Sequence, residues 1–271
     1  MRKLKTLIKS GVLLDIYFFK NNRANFISML LWPYLTLSLM IGAGYLFGSP
    51  EAFKKNVGLN VNPVVYFVAS TVVMMSCLSV MWEVGGNVLF LRWIGALPYV
   101  ILAPYRMSFT LVLSYIPRYL LFSLIQVLEF LPLILFLEGI TNGLFKVAII
   151  LLALTIGMLP LLGFSALFAS ILLVIEEESN IFSWLNPIIL LFSGAFYPAY
   201  LLPYWAQFIS WILPSTYTVE LARLASLMGS PKLSLITFLM GILLGLSFLY
   251  NFIAYALIGM GEKKAMRKGV I

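Results

Sequence analysis

The sequence has no histidine, one cysteine, one aspartate and few charges, with only 10% of its residues Asp, Glu, Lys or Arg. Each shortage excludes a class of chemistry. Without histidine there is no imidazole base, proton relay or His metal ligand. Cys77 stands alone in an apolar run, so no intramolecular disulfide can form and cysteine usage carries no compartment signal. Asp15 is the only aspartate, which removes paired-Asp catalysis. Neither G-x-S-x-G nor the phosphate cradle G-x-x-x-x-G-K-[ST] occurs, so nothing here resembles a hydrolase elbow or a nucleotide-hydrolysing loop. The basic residues are not interleaved in a nucleic-acid-binding pattern, so no nucleic-acid partner is expected. No repeat with a period of 20–50 residues is visible.

What is abundant is apolar surface. The 271 residues are 62% hydrophobic, with mean hydropathy +1.02. Soluble domains carry about 25% charged residues. An all-α integral membrane protein is therefore expected, as one membrane domain over 1–271. A spanning helix needs roughly 20 apolar residues. Six stretches qualify: 26–47, 63–82, 107–136, 145–175, 181–200 and 233–259. With six spans both termini face one side, which then holds twelve Lys and Arg against five opposite. The positive-inside rule places that side in the cytoplasm, giving a multi-pass protein of the cell membrane. Residues 1–22 place Leu4, Leu7, Ile8, Gly11, Leu14 and Phe18 at helical spacing, away from Lys3, Lys5 and Lys9. This reads as an amphipathic helix on the inner leaflet, in contact with membrane lipids.

Segment 201–229 is apolar but broken by prolines. Pro198 and Pro203 stop the fifth span. Trp205, Phe208, Ile209 and Ile212 then share a helical face, and Pro214 breaks that helix before a second one over 217–227. Nine aromatics between Phe192 and Tyr217 suit an interfacial belt. The pattern predicts a re-entrant helical hairpin between the fifth and sixth spans. The alternative, a seventh span over 203–228, would bury Glu220 and Arg223 at roughly 2.5–3.5 kcal/mol each.

These residues also carry a resemblance. Ser193, Gly194 and Pro198, then Leu202, Pro203 and Trp205, then Pro214, Tyr217 and Arg223 form SG-x-x-x-P, LP-x-W, P-x-x-Y and a closing Arg. This pattern, with the layout of the whole chain, resembles permease subunits of type-2 ABC exporters, best known for drug export. A second match lies at 83–106, where Glu83, Gly86, Leu89, Arg92, Pro104 and Arg106 look like the family's coupling region. Asn87 and Phe90 depart from the family's usual Thr and Glu. The resemblance implies a cytoplasmic coupling helix that docks on a separate ATP-hydrolysing subunit. It implies two permease copies with two ATPase subunits, which bind the ATP and Mg; no cofactor is expected in this chain. It also implies outward export of a hydrophobic or amphipathic cargo, or of a lipid-linked polysaccharide in a related subclass. Independently, 83–105 is flanked by charge yet carries Val88, Leu89, Leu91, Trp93, Ile94 and Leu97, as a partner interface or a membrane-lying helix would.

Two ionisable residues fall inside the third span. Arg118 and Glu129 share a helix face roughly three turns apart, too far for a direct pair. Arg118 is expected to snorkel to the inner headgroups. Glu129 can line a cavity or bond a neighbouring helix. Ser70, Thr71, Ser76, Cys77 and Ser79 of the second span read as packing glue, and Gly42, Ala43 and Gly44 as a site of close packing in the first. An ATP-independent secondary transporter is the competing transport class, and an intramembrane enzyme the competing chemical one.

Overall fold

The computed structural model describes residues 2–46, 55, 61–103, 106–174, 181–229 and 231–267. These are almost wholly helical. The chain begins with α1 (Arg2–Asn21) and α2 (Arg23–Leu46). Helix α3 (Pro63–Val80) runs through a π-turn (Met81–Gly85) into α4 (Asn87–Trp93), followed by α5 (Leu97–Ile101). Two long helices, α6 (Met107–Glu138) and α7 (Ile140–Val174), meet at Gly139. Helix α8 (Ile181–Phe192) is short. A 3-10 turn (Ala199–Leu201), α9 (Tyr204–Ile212), α10 (Pro214–Arg223) and a second 3-10 turn (Leu224–Ser226) lead to α11 (Leu233–Arg267).

Four helical stretches are long and apolar enough to cross a bilayer: Pro63–Trp93, Val112–Glu138, Ile140–Leu173 and Leu233–Lys264. The protein is a membrane protein. Phe26–Gly42 is a shorter apolar helix. The helix predicted over 181–200 ends at Phe192, because Gly194 turns the chain with φ +76°. The segment predicted to end at 82 instead continues to Trp93 through the π-turn.

Helix α3 is the centre of the bundle. It is buried on every side, and its small polar groups are all engaged. Asn62 caps its start, accepting from the Val64 N–H at 3.1 Å, with Pro63 in the first turn. Ser70 Oγ donates to the Tyr66 carbonyl at 2.8 Å, and Ser76 Oγ lies 3.1 Å from Gln126 Oε1 and 3.2 Å from Ser123 Oγ. In lipid the Ser76 contacts hold α3 to α6 where hydrophobic burial cannot. At the other end of α3 the π-turn loosens the helical ladder. Ser165 Oγ of α7 reaches across to the Val80 carbonyl at 3.1 Å.

The two ends of the bundle are distinct. At one end Asn62 Nδ2 donates to Glu138 Oε1 at 2.7 Å, and Lys146 Nζ pairs with Glu138 Oε2 at 2.6 Å. The Asn62 N–H bonds the Ser226 carbonyl at 2.8 Å. At the opposite, Trp93 end, the Met107 N–H at the start of α6 donates to Glu262 of α11 at 2.8 Å. Helix α1 lies on α6 there, with Gly11 over the Ser114 carbonyl.

Helices α7 and α11 pack closely. A Cβ on Gly163 would stand 2.6 Å from the Asn251 backbone nitrogen. Asn251 Nδ2 donates to the Leu159 carbonyl at 2.9 Å, and Phe164 meets Tyr250 edge to face at 5.3 Å. By contrast, a Cβ on Gly42 would meet nothing within 4 Å, so among the described residues no close packing is seen at Gly42. Gly163→Ala should therefore cost about 1–3 kcal/mol as overpacking. Thermal unfolding in mild detergent checks this: the midpoint falls for Gly163→Ala and stays at the wild-type value for Gly42→Ala.

Candidate functional site

The broken segment after α8 is tied down by Arg223. This residue closes α10 and is only 7% exposed. Its Nε donates to Ser70 Oγ of α3 at 2.7 Å, and its Nη2 donates to the Ala195 carbonyl. Its guanidinium lies 4.0 Å from the centre of the Tyr66 ring. One side chain thus joins α10, α3 and the turn after α8. A guanidinium offers five donors in a fixed plane, which is why no other cation fills this role.

The rest of the motif answers a single demand. Every carbonyl released from a helix at membrane depth needs a donor. Ser210 Oγ donates to the Phe192 carbonyl at 2.6 Å. Gln207 Nε2 donates to the Leu202 carbonyl at 2.7 Å and to that of Tyr200 at 3.1 Å. Tyr217 Oη serves the Trp211 carbonyl at 3.1 Å, and Tyr250 Oη that of Ile212. Ser193 Oγ accepts from the Ala195 N–H at 3.3 Å and lies 3.1 Å from the Met74 sulfur. Pro198 and Pro203 precede helical starts, and Pro214 occupies the first position of α10, where its missing N–H costs nothing.

Helix α9 is turned inside out for a soluble helix. Ala206 and Ser210 are buried against α8, while Tyr204, Trp205, Phe208, Trp211 and Ile212 point outward. That is the orientation an apolar solvent requires. Trp205 stays in edge-to-face contact with Phe192 at 6.0 Å.

At the Trp93 end the predicted coupling residues mostly brace the segment against its own chain. Glu83 in the π-turn pairs with Arg118 at 2.7 Å. Arg118 thus has a protein partner and does not simply snorkel to headgroups. Arg92 Nη2 donates to the Leu172 carbonyl at 2.7 Å, capping the last turn of α7. Arg106 precedes α6 and stacks 5.2 Å over the Tyr255 ring. Leu89 is buried, and Gly86 joins the π-turn to α4. Pro104 lies outside the described residues. The outward surface consists of Phe90, Trp93, Ile94, Tyr99 and Leu102, each more than half exposed. Glu129 sits apart from Arg118, as its spacing requires. Its carboxylate oxygens are buried with no hydrogen-bond partner, while its carbonyl accepts from Tyr34 Oη at 3.0 Å.

Sequence reasoning missed Glu262, Glu138 and Lys146. Each pairs over a distance that no helical spacing encodes. Asn62 was findable, because Asn-Pro before an apolar run marks a helix start. The chain matches no protein-family model and no curated protein.

The clamp makes a graded prediction. Arg223→Lys keeps the charge but loses the fork, and should cost about 1–3 kcal/mol. Arg223→Met takes the donor away from both Ser70 Oγ and the Ala195 carbonyl and should cost more, about 2–6 kcal/mol for two unmet acceptors. Thermal midpoints in detergent would rank wild type above Lys above Met, and proteolysis between α8 and α9 should quicken in the same order.

Proposed function

We propose that this chain is the membrane-spanning permease subunit of an ATP-driven exporter of the type-2 ABC class, with ATP hydrolysed by a separate subunit. The observation that carries the reading is the braced apolar shelf at the Trp93 end. Five large apolar side chains face outward on a segment that Glu83–Arg118 and Arg92–Leu172 fix to the bundle. A surface both apolar and held rigid suits repeated docking of a protein partner. The Arg223 clamp supports the same reading, since the closing Arg of the family motif fixes, at the Ala195 carbonyl, the turn that the motif's Ser193 and Gly194 open.

On this reading the chain crosses six times, by α2, by α3 with its π-turn, by α6, by α7, by the segment containing α8, and by α11. The α9–α10 pair forms the re-entrant hairpin at the outer leaflet, and both termini are cytoplasmic. A second copy of the chain completes the transporter. The exposed row Ile27, Leu31, Leu35 and Leu39 on α2, at four-residue spacing, gives it a surface to meet. Closure of two ATPase subunits on ATP pushes the shelf, and the rigid helices behind it carry that movement across the membrane. The cargo is hydrophobic or amphipathic.

The test is purification of the tagged chain from native membranes in mild detergent, with mass spectrometry of what accompanies it. A stoichiometric partner carrying a Walker A motif is expected. A Trp93→Ser, Ile94→Asp double variant should lose that partner while eluting at the same size as the free wild-type chain. A clean homo-oligomer without an ATPase, reproduced by crosslinking in the membrane, would sink the proposal.

A further inference from the structure

Beside the clamp, at the Asn62 end, lies a cavity of about 270 Å³ between α10, the start of α3 and the first turns of α11. Its walls are mostly apolar, with Leu235, Phe238 and Leu239 contributed by α11. Two charged groups open into it, Glu220 and Arg223. Among the described residues nothing donates a hydrogen bond to the Glu220 carboxylate. Arg223 commits its Nε and Nη2 to Ser70 and Ala195, which leaves Nη1 without an acceptor there. Burial pushes the Glu220 carboxyl above its ordinary range, and the guanidinium beside it opposes that shift.

An apolar cavity holding one unmet acceptor and one unmet donor of opposite charge selects its ligand by charge pattern. A lone cation would bind beside Arg223, and a lone anion beside Glu220, so each meets repulsion as well as attraction. A zwitterion satisfies both groups and leaves the site neutral. The cavity lies where α3 and α11 begin, at the Asn62 end of the bundle. From it the outward face of α11 continues as lipid-exposed surface, with Phe238 64% exposed.

We propose that this cavity binds the headgroup of an aminophospholipid. The primary ammonium donates to Glu220, the phosphate accepts from Arg223 Nη1, and an acyl chain lies along the Leu235–Phe238 face of α11. A primary ammonium supplies N–H donors to the carboxylate, whereas a trimethylammonium supplies none. The site therefore favours phosphatidylethanolamine over phosphatidylcholine, and over anionic phosphatidylglycerol.

The full chain, reconstituted in nanodiscs with equal amounts of these three lipids and released for native mass spectrometry, tests this. Retention of phosphatidylethanolamine should exceed that of either other lipid by about tenfold. Glu220→Gln leaves the Arg223 charge alone in the cavity, so it should abolish the phosphatidylethanolamine preference and shift retention toward phosphatidylglycerol. Leu239→Trp, which fills the cavity without touching a charge, should bring the three lipids to parity; thermal midpoints near wild type confirm that both variants are folded. Equal retention in the wild type, or a preference unchanged in both variants, overturns the proposal. So does displacement of the retained lipid by equimolar soluble glycerophosphoethanolamine, which would assign the site to a free zwitterion. The inference needs only membrane insertion, so its failure leaves the ATPase experiment untouched.

Discussion

A guanidinium buried in a lipid-embedded protein is expensive to desolvate, and it persists only where its partners are in place. Arg223 has three: a hydroxyl on α3, a carbonyl in the turn after α8, and the face of Tyr66. The dependence runs both ways. The turn at Ser193–Gly194 ends α8 and leaves backbone carbonyls without helical partners. Arg223 supplies the donor that lets the chain stop being helical there, and the turn supplies the acceptor that lets the charge be buried. Remove either, and α9 and α10 lose their reason to stay between α8 and α11.

Helix α3 receives this clamp at Ser70 and holds the π-turn with Glu83 at its other end. The two points are roughly 20 Å apart along the helix axis. Between them α3 is buried on all sides, and its seams with α6 are closed by Ser76, Ser123 and Gln126. A helix gripped at both ends and packed throughout moves as a rod. The π-turn itself is the compliant point, since its ladder is irregular and a side chain of α7 shares its carbonyls.

Hydropathy and proline placement made much of this legible. The stretches 63–82, 107–136 and 233–259 each lie within a long observed helix, as does 145–175 as far as Val174, and the prolines at 203 and 214 do bound two short ones. The motif from Ser193 to Arg223 was readable as a unit, but not as a hydrogen-bond circuit, because a spacing pattern does not say which carbonyl each donor reaches. Hydropathy measures how apolar a stretch is and not whether its backbone stays helical. That is why 181–200 looked long enough to span although its helix stops at Phe192. Pairings between distant segments, such as Glu83 with Arg118 or Met107 with Glu262, depend on the packing of whole helices and leave no trace in local sequence. Of the α9 stripe read as Trp205, Phe208, Ile209 and Ile212, all but Ile209 face outward, joined by Tyr204 and Trp211. That it faces away from the protein follows only once the surrounding medium is lipid.

The central claim is that the segment carrying α9 and α10 returns to the membrane face it came from, held there by Arg223. Single cysteines at Trp93, Trp211 and Lys264, in a Cys77→Ser background, test this with a membrane-impermeant maleimide applied to intact cells and to inside-out vesicles. The account predicts that the Trp93 and Lys264 positions react from one face and the Trp211 position from the other. Reaction of the Lys264 position from the opposite face to Trp93 would mean that 203–228 crosses the bilayer, and the account would be wrong.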